Sequence, residues 1–542
     1  MASIRESSRE RRFRSIPVDV EFHALRKLSQ MIGATPVYSL RGTHVVELHI
    51  HSPEPIDLDI ISRFRFLRHL DLSGSTRLFS LGALADLERL ETLILSKTNI
   101  SDADLEVIVG LDNLRVLDIS WTNISDISPL SELMNLVELY INNTYVRDID
   151  ALAHFWRLRV LNLSETRVGD ISPLEENTTL RELYLRRTQV SRLIPLLNNR
   201  VLSVLDIGET NVRDLGPISL AREMRILYLD GTKIMDFSIL GNFSGLERLY
   251  LGNTEFSMLD IISKCRNLRV LHINNTRVMD LRPIIYLEKL TELDLSHTNI
   301  LDFSPLGRLK NLKILRLNTT QITDMRPIGL LKKLKIIDME NIGSVDMGQL
   351  RTLGDLEELN CSKNYISSLR EISSLRKLRI LNLSSTNITD ISPIANLDGL
   401  QELYLFDTQI RDITAISRLR NLRVLILART MVEDISPLSR LKYLRKLSLW
   451  GTKVQNIEPL KPLTRIEELN LGETKIVDIE PLRGLLRLRR LNISNTQVAD
   501  LDPLIHLAQE GSLIYVDLRL CTRVPKDQIE ELRKHNVHVL WP

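Results

Sequence analysis

The sequence predicts an α/β solenoid, with a parallel concave β-sheet on one side and short helical turns on the convex side. Two observations carry that reading. The pattern L-x-x-L-x-L recurs along the chain, its first residue falling at Val45, Leu67, Leu90, Leu114, Leu136, Leu158, Leu180 and onward to Leu488 and Leu513. From Leu114 to Leu488 the 374 residues are seventeen steps of 22, a period that belongs to stacked supersecondary units. Within each step the hydrophobic pattern switches from period two to a short turn and then to a helix-start signal.

The repeat that begins at Leu114, LRVLDISWTNISDISPLSELMN, shows what each place does. Leu117 and Ile119 alternate with Val116 and Asp118, which makes a short strand with one buried face. Thr122 then turns the chain; Thr fills this ninth place in seventeen repeats, from Thr98 to Thr496, and a buried hydroxyl column there can bond the loop backbone. Ile124 and Ile127 return to the core. Ser128 and Pro129 read as an N-cap followed by proline at the first helical position, and the pair recurs at Ser172/Pro173, Ser304/Pro305, Ser392/Pro393 and Ser436/Pro437. The repeat starting at Leu334 departs from the pattern, with Ile342 in the threonine place and no proline, and the next has Asn364 there.

A single repeat cannot bury its own leucines, so neighbours must stack and atypical segments must close the ends. The division that follows is a disordered basic tail over 1–15, a helical cap over 16–44 containing VEFHALRKLSQMI, repeats over 45–512, and an atypical repeat with a cap over 513–542, its helix near 525–535 preceding a final strand. Strands about 4.8 Å apart give some 22 stacked repeats a sheet on the order of 100 Å long.

The unit L-x-x-L-x-L-x-x-T-x-I-x-D-I-x-P-L resembles the 22-residue repeat of bacterial internalins and of the regulatory subunit of type-one protein phosphatase. The resemblance spans residue 45 to about 520 and implies a leucine-rich-repeat solenoid, or horseshoe. Threonine in place of the usual Asn, as in ELYLRRTQV and VLNLSSTNITDISPI, is most similar to kinetoplastid leucine-rich repeat proteins. Internalins carry signal peptides, and the first thirty residues here hold no such apolar stretch. Some kinetoplastid relatives carry a zinc-binding RING; three scattered Cys with no C-x-x-C exclude that module.

Composition bounds the function further. Lys plus Arg number 71 against 69 Asp plus Glu, so no global field selects nucleic acid or an anionic membrane. No apolar run of about 18 residues is present to cross a bilayer. Cys265, Cys361 and Cys521 stand where the repeat wants small or apolar residues and read as reduced core thiols. These features predict a cytoplasmic protein, with nuclear, cytoskeletal and mitochondrial alternatives left open by MASIRESSRERRFRS: its five Arg favour organelle targeting, while Glu6 and Glu10 oppose it. Ser15 after RRFR also matches a basophilic-kinase site.

The third, fifth, seventh and eighth places point from the sheet to solvent, and most hold small or polar residues. Against that background Tyr404, Phe406, Ile426, Arg429, Lys446 and Trp450, from three consecutive repeats, form one aromatic and cationic patch with the composition of a binding hot spot. Packing of the same side chains on one another across strands is the alternative. A second patch comprises Tyr184, Arg186, Arg187, Tyr228, Arg248 and Tyr250, although Tyr at the fifth place is also a habit of the repeat. Basic residues recur at the second place (Arg115, Arg159, Arg181, Arg225, Arg269, Lys313, Arg379, Arg423, Arg445, Arg489), forming either a solvated edge paired with Glu138 and its equivalents or a stripe for an acidic protein or RNA backbone. The thirteenth-place aspartates Asp126, Asp148, Asp170, Asp214, Asp280, Asp390 and Asp434 read as turn acceptors.

His49, His51, His69 and Asp71 have spacing compatible with a metal, but no supporting second shell is visible in sequence, and a polar strand face accounts for the same residues. No phosphate loop or nucleophile elbow is present. The expectation is a scaffold without enzymatic activity, cofactor or small-molecule substrate that binds a protein partner on its concave face. An RNA-binding or ribonucleoprotein component using the Arg stripe, and a phosphatase regulatory subunit, are the alternatives.

Overall fold

In a computed structural model, residues 18–78 and 81–542 are described. The expected basic tail over 1–15, the first two residues of the helical cap and the Ser15 motif lie outside them. Two compact parts are distinguished, one running to Phe256 with Asp260–Leu268, the other comprising Ser257–Leu259 with Arg269–Pro542.

The first part opens with the helix Asp19–Ile32, ended by Gly33 in the left-handed region at φ 66°, where a glycine carries no Cβ penalty. Ala24, Leu25 and Leu28 form its buried face, and with them goes the carboxylate of Glu21. That charge is satisfied: Glu21 accepts the Val45 amide at 2.8 Å and lies 3.3 Å from His44 Nδ1, which ties the helix to the sheet. An antiparallel strand, Val37–Arg41, pairs with His44–His49 across a turn at Gly42 and was not signalled by the repeat period. From there every pairing is parallel, His49 opposite Asp71, Leu117 opposite Leu139, Leu227 opposite Leu249, through nine further three-residue strands from His69–Asp71 to Arg248–Tyr250.

The second part continues the same plan from Val270–His272 to Tyr515–Asp517 and His538–Leu540, with the helices Asp502–Gln509 and Lys526–Lys534 near its end. One repeat explains the packing throughout. Leu114, Leu117, Ile119, Ile124, Ile127, Leu130 and Leu133 are all buried, and each side chain removed from water contributes about 1.5–3 kcal/mol.

The turns after the strands correct one expectation. Ser128 and its equivalents are not N-caps; they begin the 3-10 turns Ser128–Glu132, Ser172–Leu174, Ser304–Arg308, Ser392–Asn396 and Ser436–Arg440, with proline second. The acceptor stands two residues earlier. Asp126 Oδ1 takes the Ser128 amide at 2.8 Å, and Asp148, Asp170, Asp214, Asp280, Asp390 and Asp434 each take the amide two residues on. The aspartate column therefore starts the turns by itself, as its turn-acceptor reading requires.

The threonine column also has one job. Each hydroxyl donates to the carbonyl three residues back, as Thr122 does to Ile119 at 2.7 Å and Thr298 to Leu295 at 2.6 Å. Where the column fails, Asn364 replaces it twice over. Its Nδ2 donates to Cys361 at 3.0 Å and to Met339 at 2.7 Å, the carbonyl a threonine at 342 would have served. Its Oδ1 accepts the amides of Ile342 and Gly343. The same two repeats form an extra parallel pair, Ser344–Val345 with Tyr365–Ile366.

Cys265, Cys361 and Cys521 are free and buried. Burial pushes the Cys265 thiol up to about 11 and raises that of Cys361 as well.

Candidate partner-binding face

The exposed face of the sheet is set by two places of the repeat that have opposite behaviour. The seventh place lies on the sheet face; the eighth enters the left-handed region. Lys97, Trp121, Glu165, Arg187, Glu209 and Arg429 all have φ between 55° and 59°, and their non-glycine equivalents from Asn143 to Asn495 lie between 51° and 58°. This conformation costs a bulky residue energy, and the stacked backbone hydrogen bonds hold it, as the Arg429 amide bonds the Trp450 carbonyl at 2.8 Å.

In the second part the strands Glu402–Tyr404, Val424–Ile426 and Lys446–Ser448 are adjacent, with Tyr404, Ile426 and Ser448 in register. Along the seventh place the sequence reads Phe406, Ala428, Trp450, Gly472, large alternating with small. The small residues make room. A Cβ on Gly472 would stand 3.0 Å from Trp450 Cδ1, so the indole lies against the glycine of the following strand. Phe406, Ile426, Ala428 and Trp450 line a cavity of about 430 Å³ open to solvent. Lys446, Glu468, Arg490 and Tyr515 are among its other lining residues, with Lys446 Nζ held 2.8 Å from Glu468 Oε2.

Of the six residues singled out in sequence, Phe406, Ile426, Lys446 and Trp450 line this cleft. Arg429 is exposed and does not line it, but its guanidinium carbon stands 5.0 Å from the Trp450 ring centroid, a cation–π contact that orients the indole. Tyr404 is spent on its own strand: its hydroxyl donates to Glu402 at 2.6 Å, and burial followed by that carboxylate pushes its pKa up to about 12. Sequence reasoning missed Ala428, Gly472, Arg490 and Tyr515. The alternation of large and small seventh-place residues was the available signal for the first two.

The second patch has a different character. Arg186 also alternates with glycine, along Arg186, Gly208, Asp230, Gly252. Its guanidinium lies over Gly208 and reaches Asp206 at 3.2 Å, Glu209 at 2.8 Å and Asp230 at 3.1 Å. Arg187 joins Glu209 at 2.7 Å and Glu165 at 2.9 Å. Tyr228 and Tyr250 stack at 4.5 Å, and Tyr184 donates to Glu182. Arg186, Arg187 and the three tyrosine rings thus find partners within the sheet, whereas Arg248 is exposed. Desolvation raises the pKa of Asp206, the most buried of these carboxylates, against the hydrogen bond from Gly208 and the charge of Arg186.

The Arg stripe pairs differently from expectation. Arg225, Arg379 and Arg445 approach second-place glutamates, Glu247 at 3.7 Å, Glu357 at 4.0 Å and Glu467 at 3.7 Å. Glu138 and Glu182 instead accept tyrosine hydroxyls on their own strands. Second-place acids thus neutralise part of the basic stripe.

Residues 112–154, 288–330, 354–396, 376–418 and 464–506 match the family described as Leucine Rich repeats (2 copies). The fold is that of a leucine-rich-repeat solenoid. Among solved structures, a leucine-rich repeat protein of Leptospira interrogans has 23% identity, covers 72% of this chain and 99% of its own, and superposes with a TM-score of 0.55. The plant peptide hormone receptor RGFR1 in complex with RGF2 has 18% identity, 94% and 99% coverage and a TM-score of 0.52. An internalin from Listeria monocytogenes has 27% identity over 67% of this chain and 87% of its own, with a TM-score of 0.36. A search of curated proteins found no match. Leucine-rich repeat folds are typically non-enzymatic interaction domains. No helix among the described residues is long and apolar enough to cross a membrane.

Proposed function

We propose that this leucine-rich repeat protein is an interaction scaffold that binds an extended segment of a protein partner on the exposed face of its sheet, with one apolar side chain of that segment seated between Phe406 and Trp450. The observation that carries the reading is the cleft itself, whose lining combines aromatic Phe406 and Trp450, aliphatic Ile426 and Ala428, and charged Lys446, Glu468 and Arg490. Buried aromatic anchors surrounded by polar groups concentrate binding energy. A peptide suits an open cleft of this size better than a closed small-molecule pocket would. The peptide hormone receptor among the structural neighbours supports the choice of occupant by fold analogy. Three free, buried thiols support placement in a reducing compartment such as the cytoplasm, and the threonine column supports a kinetoplastid affinity.

The test is affinity capture with wild type beside the Phe406→Ala/Trp450→Ala double variant, followed by titration of each purified protein with the captured partner. Affinity should fall at least about tenfold in the double variant, since one hot-spot truncation costs about 2 kcal/mol or more. Equal affinity for both proteins removes the cleft from the interface. Capture abolished by nuclease, with a steep fall of affinity with salt, would instead favour the RNA alternative.

A further inference from the structure

We propose that His49, His51 and Asp71 form a binding site for a borderline-soft divalent transition-metal ion such as Zn²⁺. The site is in the first part of the chain and is independent of the cleft. Nδ1 of His49 lies 3.3 Å from Asp71 Oδ2, and Nε2 of His51 lies 3.7 Å from the same oxygen. One ligand atom from each of the three residues falls within 4.8 Å of the others. Two donors at about 2.0–2.2 Å from a tetrahedral zinc are themselves about 3.4 Å apart, so the set needs only a small contraction to close on an ion.

The ligands come together because of the repeat. His49 and Asp71 are cross-strand partners at the fifth place of adjacent repeats, and His51 stands two residues beyond His49. Ser73, seventh in the next repeat, orients two of the three through its backbone. Its amide donates to Asp71 Oδ1 at 2.9 Å, which leaves Oδ2 turned towards the imidazoles. Its carbonyl faces His51 Nδ1 at 2.8 Å. A carbonyl only accepts, so Nδ1 carries the proton and the Nε2 lone pair points into the cluster. A ligating histidine whose other ring nitrogen donates to a carbonyl is the usual support of a metal site, and this is the second shell that the sequence did not reveal.

Other acids at the fifth place lack this company. Asp118, Asp206 and Asp294 make the same turn bond to the seventh-place amide, but Asp206 is matched by Arg186 and no pair of imidazoles stands beside any of them among the described residues. Two imidazoles and one carboxylate select Zn²⁺, Ni²⁺ or Cu²⁺ over Mg²⁺ or Ca²⁺, which demand oxygen ligands. Three protein ligands leave a fourth position open, and the His51 side chain, 54% exposed, places it at the solvent side.

The experiment is calorimetric titration of the metal-free full chain with Zn²⁺ alone, repeated with Co²⁺ alone while following its visible absorption. The variants are His51→Ala, Asp71→Asn, which keeps an oxygen for the Ser73 amide, and His297→Ala as an exposed histidine elsewhere. The expected result is one equivalent bound by wild type and His297→Ala, affinity lowered at least about tenfold in His51→Ala and Asp71→Asn, and no displacement by millimolar Mg²⁺. Thermal unfolding without metal, unchanged in both variants, confirms that they fold. Zinc affinity identical in wild type and a His49→Ala/His51→Ala variant, or no saturable binding by wild type, overturns the proposal.

Discussion

Asn364 is the position where replacing one residue by the repeat's own consensus should do the most harm. A threonine there would keep the bond to the Cys361 carbonyl, as every column threonine does to the carbonyl three residues back. It would abandon the Met339 carbonyl and the Ile342 amide, both joined to Asn364 in a buried setting. Each buried group left unpaired costs about 1–3 kcal/mol, so Asn364→Thr, which strands two, should cost about 2–6 kcal/mol locally. Because each repeat contacts only its neighbours, the loss should stay close to residues 334–377. Native-state hydrogen exchange reads it there. The amides of Met339 and Cys361, which bond Asn360 and Asn382, should exchange at least about 30-fold faster, the equivalent of about 2 kcal/mol. Adding Ile342→Thr should restore part of the protection, because a hydroxyl at 342 can serve Met339 again. If Asn364→Thr exchanges like wild type, or Ile342→Thr brings no recovery, Asn364 is not covering for the missing threonine.

Two further outcomes follow from the hydrogen bonds. Gly208→Ala places a Cβ 2.5 Å from Arg186 Nη2, expelling the guanidinium from Asp206 and Asp230 and lowering the urea midpoint by the equivalent of about 1–3 kcal/mol; the substitution should add nothing in an Arg186→Ala background, and a full cost there would mean that the clash is not with Arg186. Backbone amides at Ser172, Ser238 and Ser304 are the main cause holding Asp170, Asp236 and Asp302 below the ordinary carboxylate range. Groups with native pKa below the unfolded value of about 3.9 stabilise fully above that pH and lose their contribution as pH falls through the native values, with Asp206, raised, opposing them. The urea midpoint should fall below about pH 4 and fall less in Asp170→Asn, whose amide oxygen still accepts; a midpoint that rises on acidification would show that this column does not govern acid stability.

What the sequence disclosed depended on whether a residue's role was periodic. Leu117, Thr122 and Asp126 recur in so many repeats that period and polarity alone give strand, buried hydroxyl and turn acceptor. Ser128 misled because Ser-Pro is a common helix start, and only the structure shows that Asp126 accepts the Ser128 amide while the Leu130 amide goes to the Ile127 carbonyl, which leaves the serine no capping role. The left-handed eighth place was hidden because Trp121, Glu165 and Arg429 lack the glycine signature of positive φ; Gly74, Gly231 and Gly451 were the hints of that kind.

The candidate face was legible in composition but not in partnership. Phe406, Ile426 and Trp450 were chosen as large apolar groups on a polar face, and they line one cleft. Tyr404 and Arg186 looked equally available, yet one hydroxyl is bound by Glu402 and one guanidinium by three carboxylates. Such pairings depend on rotamers that cross strands, which no linear pattern states. The bonding roles of Asn364 and Ser73 escaped notice for the same reason, since each acts on a neighbouring repeat.

The most direct measurement is a hydrogen-exchange footprint of the purified partner on the full chain. Bound partner should slow exchange over the segments containing Phe406, Ala428 and Trp450, and protection should vanish with Trp450→Ala. Protection confined to the 3-10 turns such as Ser436–Arg440, with the segments around Phe406 and Trp450 unchanged, would contradict a sheet-face binding site.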